Sequence, residues 1–78
     1  MTPLEISEYK RSWIAQGGNP VRVHSDSDVT CKTWCRKNLE RHQWSMTSYT
    51  NVYEHTFYFE DANTSNQFEH EFTKWVIK

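Results

Sequence analysis

Apolar residues recur at every second position around Trp44-Met46 and Phe57-Phe59, but at every third or fourth position before and after them. This change of period constrains the fold most. A period of two buries one side of a strand, and a period near 3.6 buries one stripe of a helix, so neither segment satisfies the other's geometry. Trp44 and Met46 alternate with Ser45 and Thr47, and Phe57 and Phe59 with Thr56, Tyr58 and Glu60, which predicts strands over about 43–49 and 52–60. Asn51, in the stretch Tyr49-Thr50-Asn51-Val52 between them, tolerates positive φ, so a hairpin of unspecified register is expected.

Upstream, Thr2-Pro3-Leu4-Glu5 reads as a helix start: Thr2 accepts from the third helical amide, Pro3 fits the first position, and Glu5 bonds back. Ile6, Tyr9 and Trp13 then share one face of a helix over about 3–16, and Gly17-Gly18 supplies a left-handed end. Val21 and Val23 alternate with Arg22 and His24 in a strand over about 20–24 that opens on Pro20. Ser25-Asp26-Ser27-Asp28 provides caps and acidic groups for a helix over about 28–40, striped by Cys31, Trp34, Cys35 and Leu39. Asp61 to Ser65 offers further caps, with Thr64 and Gln67 as a second capping box, and Phe68, Phe72, Trp75 and Val76 at i, i+4, i+7 and i+8 predict a last helix over about 63–76.

The class is therefore α+β: a single domain over residues 1–78, a two-layer sandwich of a three-stranded sheet and helices, in the order helix-strand-helix-strand-strand-helix. Val21, Val23, Trp44, Met46, Phe57 and Phe59 are expected to pack on Cys31, Trp34, Cys35, Leu39, Phe68, Phe72 and Trp75. A crossover through the second helix is right-handed if its strands are parallel neighbours. The first helix has three placements: closing one edge, covering the free sheet face, or offering its stripe to a partner.

Size limits the chemistry. A domain of roughly 80 residues buries only about 60–65% of its unfolded surface, which disfavours a large enclosed active site. Only 36% of residues are hydrophobic, yet four Trp, four Tyr and four Phe are present, and each ring buries about 150–250 Å². The core is thus few in residues and large in rings. A mean hydropathy of −0.92, with no long apolar run and no apolar segment after a basic start, predicts a soluble cytoplasmic protein without membrane contact.

Cys31 and Cys35, with four histidines in the chain, raise the question of a two-cysteine, two-histidine zinc site. Both thiols lie on the apolar stripe and no second ligand pair stands close by, so the core reading is preferred, and no metal or other cofactor is assigned. Neighbouring helical turns do not aim two Cβ atoms at each other, which disfavours a disulfide. His24 and His42 are the imidazoles weighed as a base for a thiol nucleophile, and Glu69-His70-Glu71 as an oriented general base, but spacing selects neither. Glycine-rich phosphate loops, glycine-flanked serine nucleophiles and paired zinc histidines are missing. The chain is read as a non-enzyme, with no catalytic residue.

Charge is more informative than motif. Nine Lys+Arg face ten Asp+Glu for a net charge of −1, but Lys32, Arg36, Lys37 and Arg41, with His42 beyond, oppose only Glu40, whereas Glu54, Glu60, Asp61, Glu69 and Glu71 load the C-terminal half. A polarised molecule follows. The basic face offers nucleic acid only a modest counterion-release term, so this is the alternative reading. The outward sheet face, with Arg22, His24, Ser45, Thr47, Thr56 and Tyr58, lacks the ring motif of RNA-stacking sheets. The first reading is a protein-binding module contacting a partner protein, or itself as a homodimer, through Ile6, Tyr9 and Trp13.

The run from Trp34-Cys35-Arg36-Lys37-Asn38-Leu39 through Glu40-Arg41-His42-Gln43-Trp44 to Met46-Thr47, continued by Thr50-Asn51-Val52-Tyr53-Glu54-His55-Thr56-Phe57 and Phe59-Glu60-Asp61, is similar to small proteins of tailed phages that infect marine cyanobacteria. The opening Met1-Thr2-Pro3-Leu4-Glu5-Ile6-Ser7-Glu8-Tyr9-Lys10 shares that likeness. The resemblance covers most of the chain and carries no activity. It implies context alone: a phage accessory protein in the host cytoplasm, acting on a host or phage protein.

Overall fold

The computed structural model describes residues 2–51 and 53–77, with the side chains of 48–51 excepted. Its elements are helix α1 (Pro3–Ala15), strand β1 (Val21–His24), helix α2 (Asp28–Asn38), strands β2 (Trp44–Asn51) and β3 (Glu54–Phe59), and helix α3 (Ala62–Glu71). Short 3-10 turns at Ser25–Ser27 and Arg41–Gln43 lead into α2 and β2. The α+β class and element order are as the sequence predicts. The expected hairpin connection includes Val52, which lies outside the described residues.

The sheet is antiparallel throughout, in the order β1-β3-β2. Because β1 and β2 each pair antiparallel with β3, they run parallel to each other with β3 between them, and are not the neighbours that a simple crossover would join. The register places Val21 and Met46 opposite Phe57, and Trp44 opposite Phe59. These side chains share the face that α2 and α3 cover. Val23, Cys31, Cys35, Phe57, Phe59 and Phe68 are fully enclosed there, with Trp34, Leu39, Trp44, Met46, Trp75 and Val76 packed around them. Phe68 is the hub: its ring centroid lies 5.0 Å from Phe57, 4.8 Å from Phe59, 5.0 Å from Phe72 and 5.7 Å from Trp34.

Local signals account for most termini. At α1 the Glu5 amide donates to Thr2 Oγ1 (3.2 Å) and the Thr2 amide to Glu5 Oε1 (3.1 Å), and these bonds hold the Glu5 carboxyl below its ordinary pKa. The α3 cap is Asp61, whose Oδ1 accepts from the Thr64 amide at 2.7 Å, so the helix starts one turn ahead of the expected Thr64-Gln67 box.

The largest departure is at the C-terminus. α3 ends at Glu71 instead of continuing through Val76. Val76 bridges to Val23, Trp75 O accepts from the His24 amide (3.0 Å), and the Ile77 amide donates to Arg22 O (2.9 Å). A longer helix would leave β1 with unpaired edge groups. Turning the chain back satisfies them and lays Trp75 and Val76 against the core.

The turn after α1 is fixed by its glycines and by β3. Gly17, Gly18 and Asn19 have φ of 122°, 65° and 43°. The Phe59 amide donates to Gly18 O (2.8 Å) and Asn19 Nδ2 to Phe59 O (3.1 Å). A Cβ on Gly18 would stand 2.8 Å from Tyr58 Cδ1 and 3.3 Å from the Ile14 Cα. Gly18→Ala therefore combines a left-handed backbone penalty with a clash partly against backbone. The expected loss is about 2–3 kcal/mol, a fall in Tm on the order of 10–20 °C in a thermal melt.

Candidate functional site

Of the stripe offered to a partner, Trp13 is 9% exposed, Ile6 half-buried and Tyr9 40% exposed. α1 uses this face on its own chain. Trp13 Nε1 donates to His42 O at 3.1 Å, and Tyr9 meets the His42 ring edge-on with centroids 5.8 Å apart. The hydrogen-bonded Glu60 carboxylate, with burial and charge adding to it, raises the Tyr9 phenol above its usual pKa. The helix thus closes the end of the sheet where β2 begins and β3 finishes. The physical reason is polar as much as apolar: a buried indole N–H requires an acceptor, and the Arg41–Gln43 turn presents one. Trp13 is therefore not available as a surface contact.

The basic residues divide differently from the pattern along the chain. Lys32 Nζ sits 3.1 Å from Asp28 Oδ2, one turn away, and is neutralised locally. Lys37 is exposed at the end of α2. Arg36, from the last turn of α2, and Arg41, from the 3-10 turn, come together with Lys10 of α1 around a surface hollow of about 440 Å³ floored by Leu39 and Trp44. Among the described residues the ion pairs are Arg22–Glu54, Lys32–Asp28 and a His24–Asp26 contact, so none of the three cations has a carboxylate partner.

The hollow has an electrostatic signature. Lys10 Nζ stands over the Trp44 ring, 5.8 Å from its centroid, and partial burial together with the Arg41 charge lowers its pKa. Desolvation and like charge both disfavour the ammonium, and the attraction of a bound anion would offset them. Trp44 is supported by Phe57, nearly parallel at 21° with centroids 6.2 Å apart. Past Lys10 a second hollow of about 330 Å³ continues along α1, lined by Ser7, Lys10, Arg11, Ile14 and Ser45. The two depressions share Lys10 as a wall, so Arg36, Arg41, Lys10 and Arg11 form one basic track.

Sequence reasoning missed Lys10 and Trp44 as members of this site. A signal existed for Lys10: it is four residues after Ile6 and three before Trp13, which puts it beside the helix face that docks.

The thiols are placed differently. Cys31 and Cys35 are free and enclosed in the core. Burial raises the Cys31 pKa and pushes that of Cys35 up to about 12, so at neutral pH both keep their protons, whereas a nucleophile needs the thiolate. The imidazoles are dispersed: His42 rests on Tyr9, His24 Nδ1 accepts from the Asp26 amide at 3.2 Å, and His70 is exposed. Among the described residues no group of three or more His, Cys, Asp or Glu is arranged to hold a metal ion, and no helix is long and apolar enough to cross a membrane. No family model, curated protein or solved structure matches this chain.

Proposed function

We propose that this protein is a non-catalytic binding module whose partner is nucleic acid, held through its phosphates at the Lys10-Arg36-Arg41 hollow. One observation carries the reading: three cations from three separate elements converge without a carboxylate among them. Arg22 and Lys32 have acidic neighbours, and among the described residues Arg11, Lys37 and Lys74 have no ion pair either, so what sets Lys10, Arg36 and Arg41 apart is that all three line one hollow. Keeping three like charges together costs free energy that an external anion returns, and guanidinium groups match phosphate geometry well. A partner-protein reading through Ile6 and Tyr9 draws on α1, where Leu4 is 68% exposed and Tyr9 40%, but it loses Trp13, its largest ring.

Counterion release makes the test quantitative. Three neutralised phosphates give a slope of log K against log salt of about −2 for a single strand and about −3 for a duplex, with affinity falling on the order of 20- to 40-fold between about 50 and 200 mM salt. Fluorescence anisotropy of a labelled oligonucleotide reads this directly. Arg36→Gln and Arg41→Gln are each expected to flatten the slope by about one. Lys37→Gln, one residue from Arg36 but outside the hollow, leaves it unchanged. Binding that ignores salt, or equal effects of the Arg36 and Lys37 variants, contradicts the reading.

A further inference from the structure

We infer that the strand bound at this track is single, with one unpaired base seated on the Trp44 ring in the place that the Lys10 side chain now occupies. The inference rests on the nucleic-acid reading and specifies its ligand. Three features on the protein carry it.

The first is shape. The cations line a depression of about 440 Å³ together with Leu39 and Trp44. A duplex presents its phosphates on a stiff cylinder, with its bases turned inward and paired, and cannot send a base into such a space. A single strand can unstack one.

The second is the aromatic floor. Stacking proteins offer a base a ring whose own position is already held, so that little ordering is required on binding. Trp44 meets this condition, with Phe57 nearly parallel against it and Leu39 beside it in the floor. Arg36 and Arg41 line the same hollow as that ring, within reach of the phosphates flanking a seated base.

The third is Lys10. Its ammonium stands 5.8 Å from the Trp44 centroid on the side facing the hollow, where a base would lie. A cation over a ring is a modest attraction when partly solvated. Lys10 is also crowded by Arg41 and short of water, so it is a weak occupant. An arriving base takes over the ring, while the long lysine stem lets the ammonium swing toward a phosphate in the adjoining hollow that Lys10 and Arg11 line. One residue thus shields the platform when it is empty and grips the backbone when it is filled.

The test uses the intact protein and three labelled probes of equal length, about 12 nucleotides, within the usual range of single-strand site sizes: oligodeoxythymidylate, the same backbone with abasic sites throughout, and a mixed-sequence duplex. The thymidylate strand is expected to bind about 5- to 160-fold more tightly than the abasic one, the range that a single stacked base supplies, and to quench tryptophan fluorescence as the abasic strand does not. Lys10→Met should flatten the salt slope for thymidylate by about 0.7, one phosphate contact, while the thymidylate-to-abasic ratio persists. Trp44→Leu should bring that ratio close to one. Because Trp44 also packs on Phe57, the ratio in the wild-type protein stands as the decisive measurement should that variant fail to fold. Salt-dependent binding that is equal for thymidylate and abasic strands, or tighter for the duplex, overturns the single-strand inference and leaves the nucleic-acid reading standing. Absence of salt-dependent binding to any of the three overturns both.

Discussion

Phe68→Ala is expected to remove about 3–5 kcal/mol of folding free energy, enough to leave little folded chain at room temperature. The magnitude follows from Phe68's position. Its ring is 0% exposed and lies within 6 Å, centroid to centroid, of Phe57, Phe59, Phe72 and Trp34, so truncation opens a void bounded by four other rings. Rings are stiff and interlocked, and they collapse poorly into such a space. A domain of this length has a total stability of about 4–12 kcal/mol, which makes one hub residue comparable with the whole. Urea unfolding followed by far-ultraviolet circular dichroism measures it. The expected trace starts already sloping, with a midpoint shifted strongly down or no folded baseline. Phe68→Leu, which keeps most of the apolar bulk, should lose much less, on the order of 1–2 kcal/mol. A loss below about 1 kcal/mol for the alanine variant would mean that the core is not centred on this ring.

The hub was legible in the amino-acid sequence because its causes are local. Phe68 and Phe72 repeat at helical spacing, Phe57 and Phe59 at strand spacing, and each period leaves one choice of buried face. The Thr2-Glu5 box and the Gly17-Gly18 turn are equally local, and both are present. Legibility fails where a residue's fate depends on something distant along the chain. Trp75 and Val76 continue the α3 stripe perfectly well, yet the unpaired edge of β1 takes them out of the helix, and no spacing near residue 75 announces that edge. The candidate site fails to show for the same reason: Lys10, Arg36 and Arg41 belong to three elements, and only the closing of α1 over the Arg41–Gln43 turn makes them neighbours. Read along the chain, Lys32, Arg36, Lys37 and Arg41 look like one basic face. In space Asp28 has claimed Lys32, Lys37 is exposed and not part of the hollow's lining, and Lys10 has joined.

Trp13→Ala is the substitution that tests this closure, and its expected effect is second only to that at Phe68. Trp13 is buried but stands outside the cluster around Phe68, so the two variants should fail in different ways. Removing the indole takes away the side chain of the one residue of α1 that is buried and leaves His42 O without its donor at 3.1 Å. Truncation of a buried Trp costs about 3–5 kcal/mol, but only if what remains stays assembled. Here α1 can detach while the sheet, α2 and α3 keep their shared core, so a local opening sets the limit. Hydrogen exchange should therefore show protection lost across α1 (Pro3–Ala15) with β3 and α3 amides retained. Trp13→Phe keeps a ring in place but forfeits the N–H bond and part of the indole's buried area, for about 1–3 kcal/mol, less than the alanine variant. Because Lys10 rides on α1 while Arg36 and Arg41 do not, the alanine variant should also flatten the salt slope for single strands at least as much as Lys10→Met does, although no residue of the hollow has been altered. Retained α1 protection in that variant would show that the helix is held by other contacts.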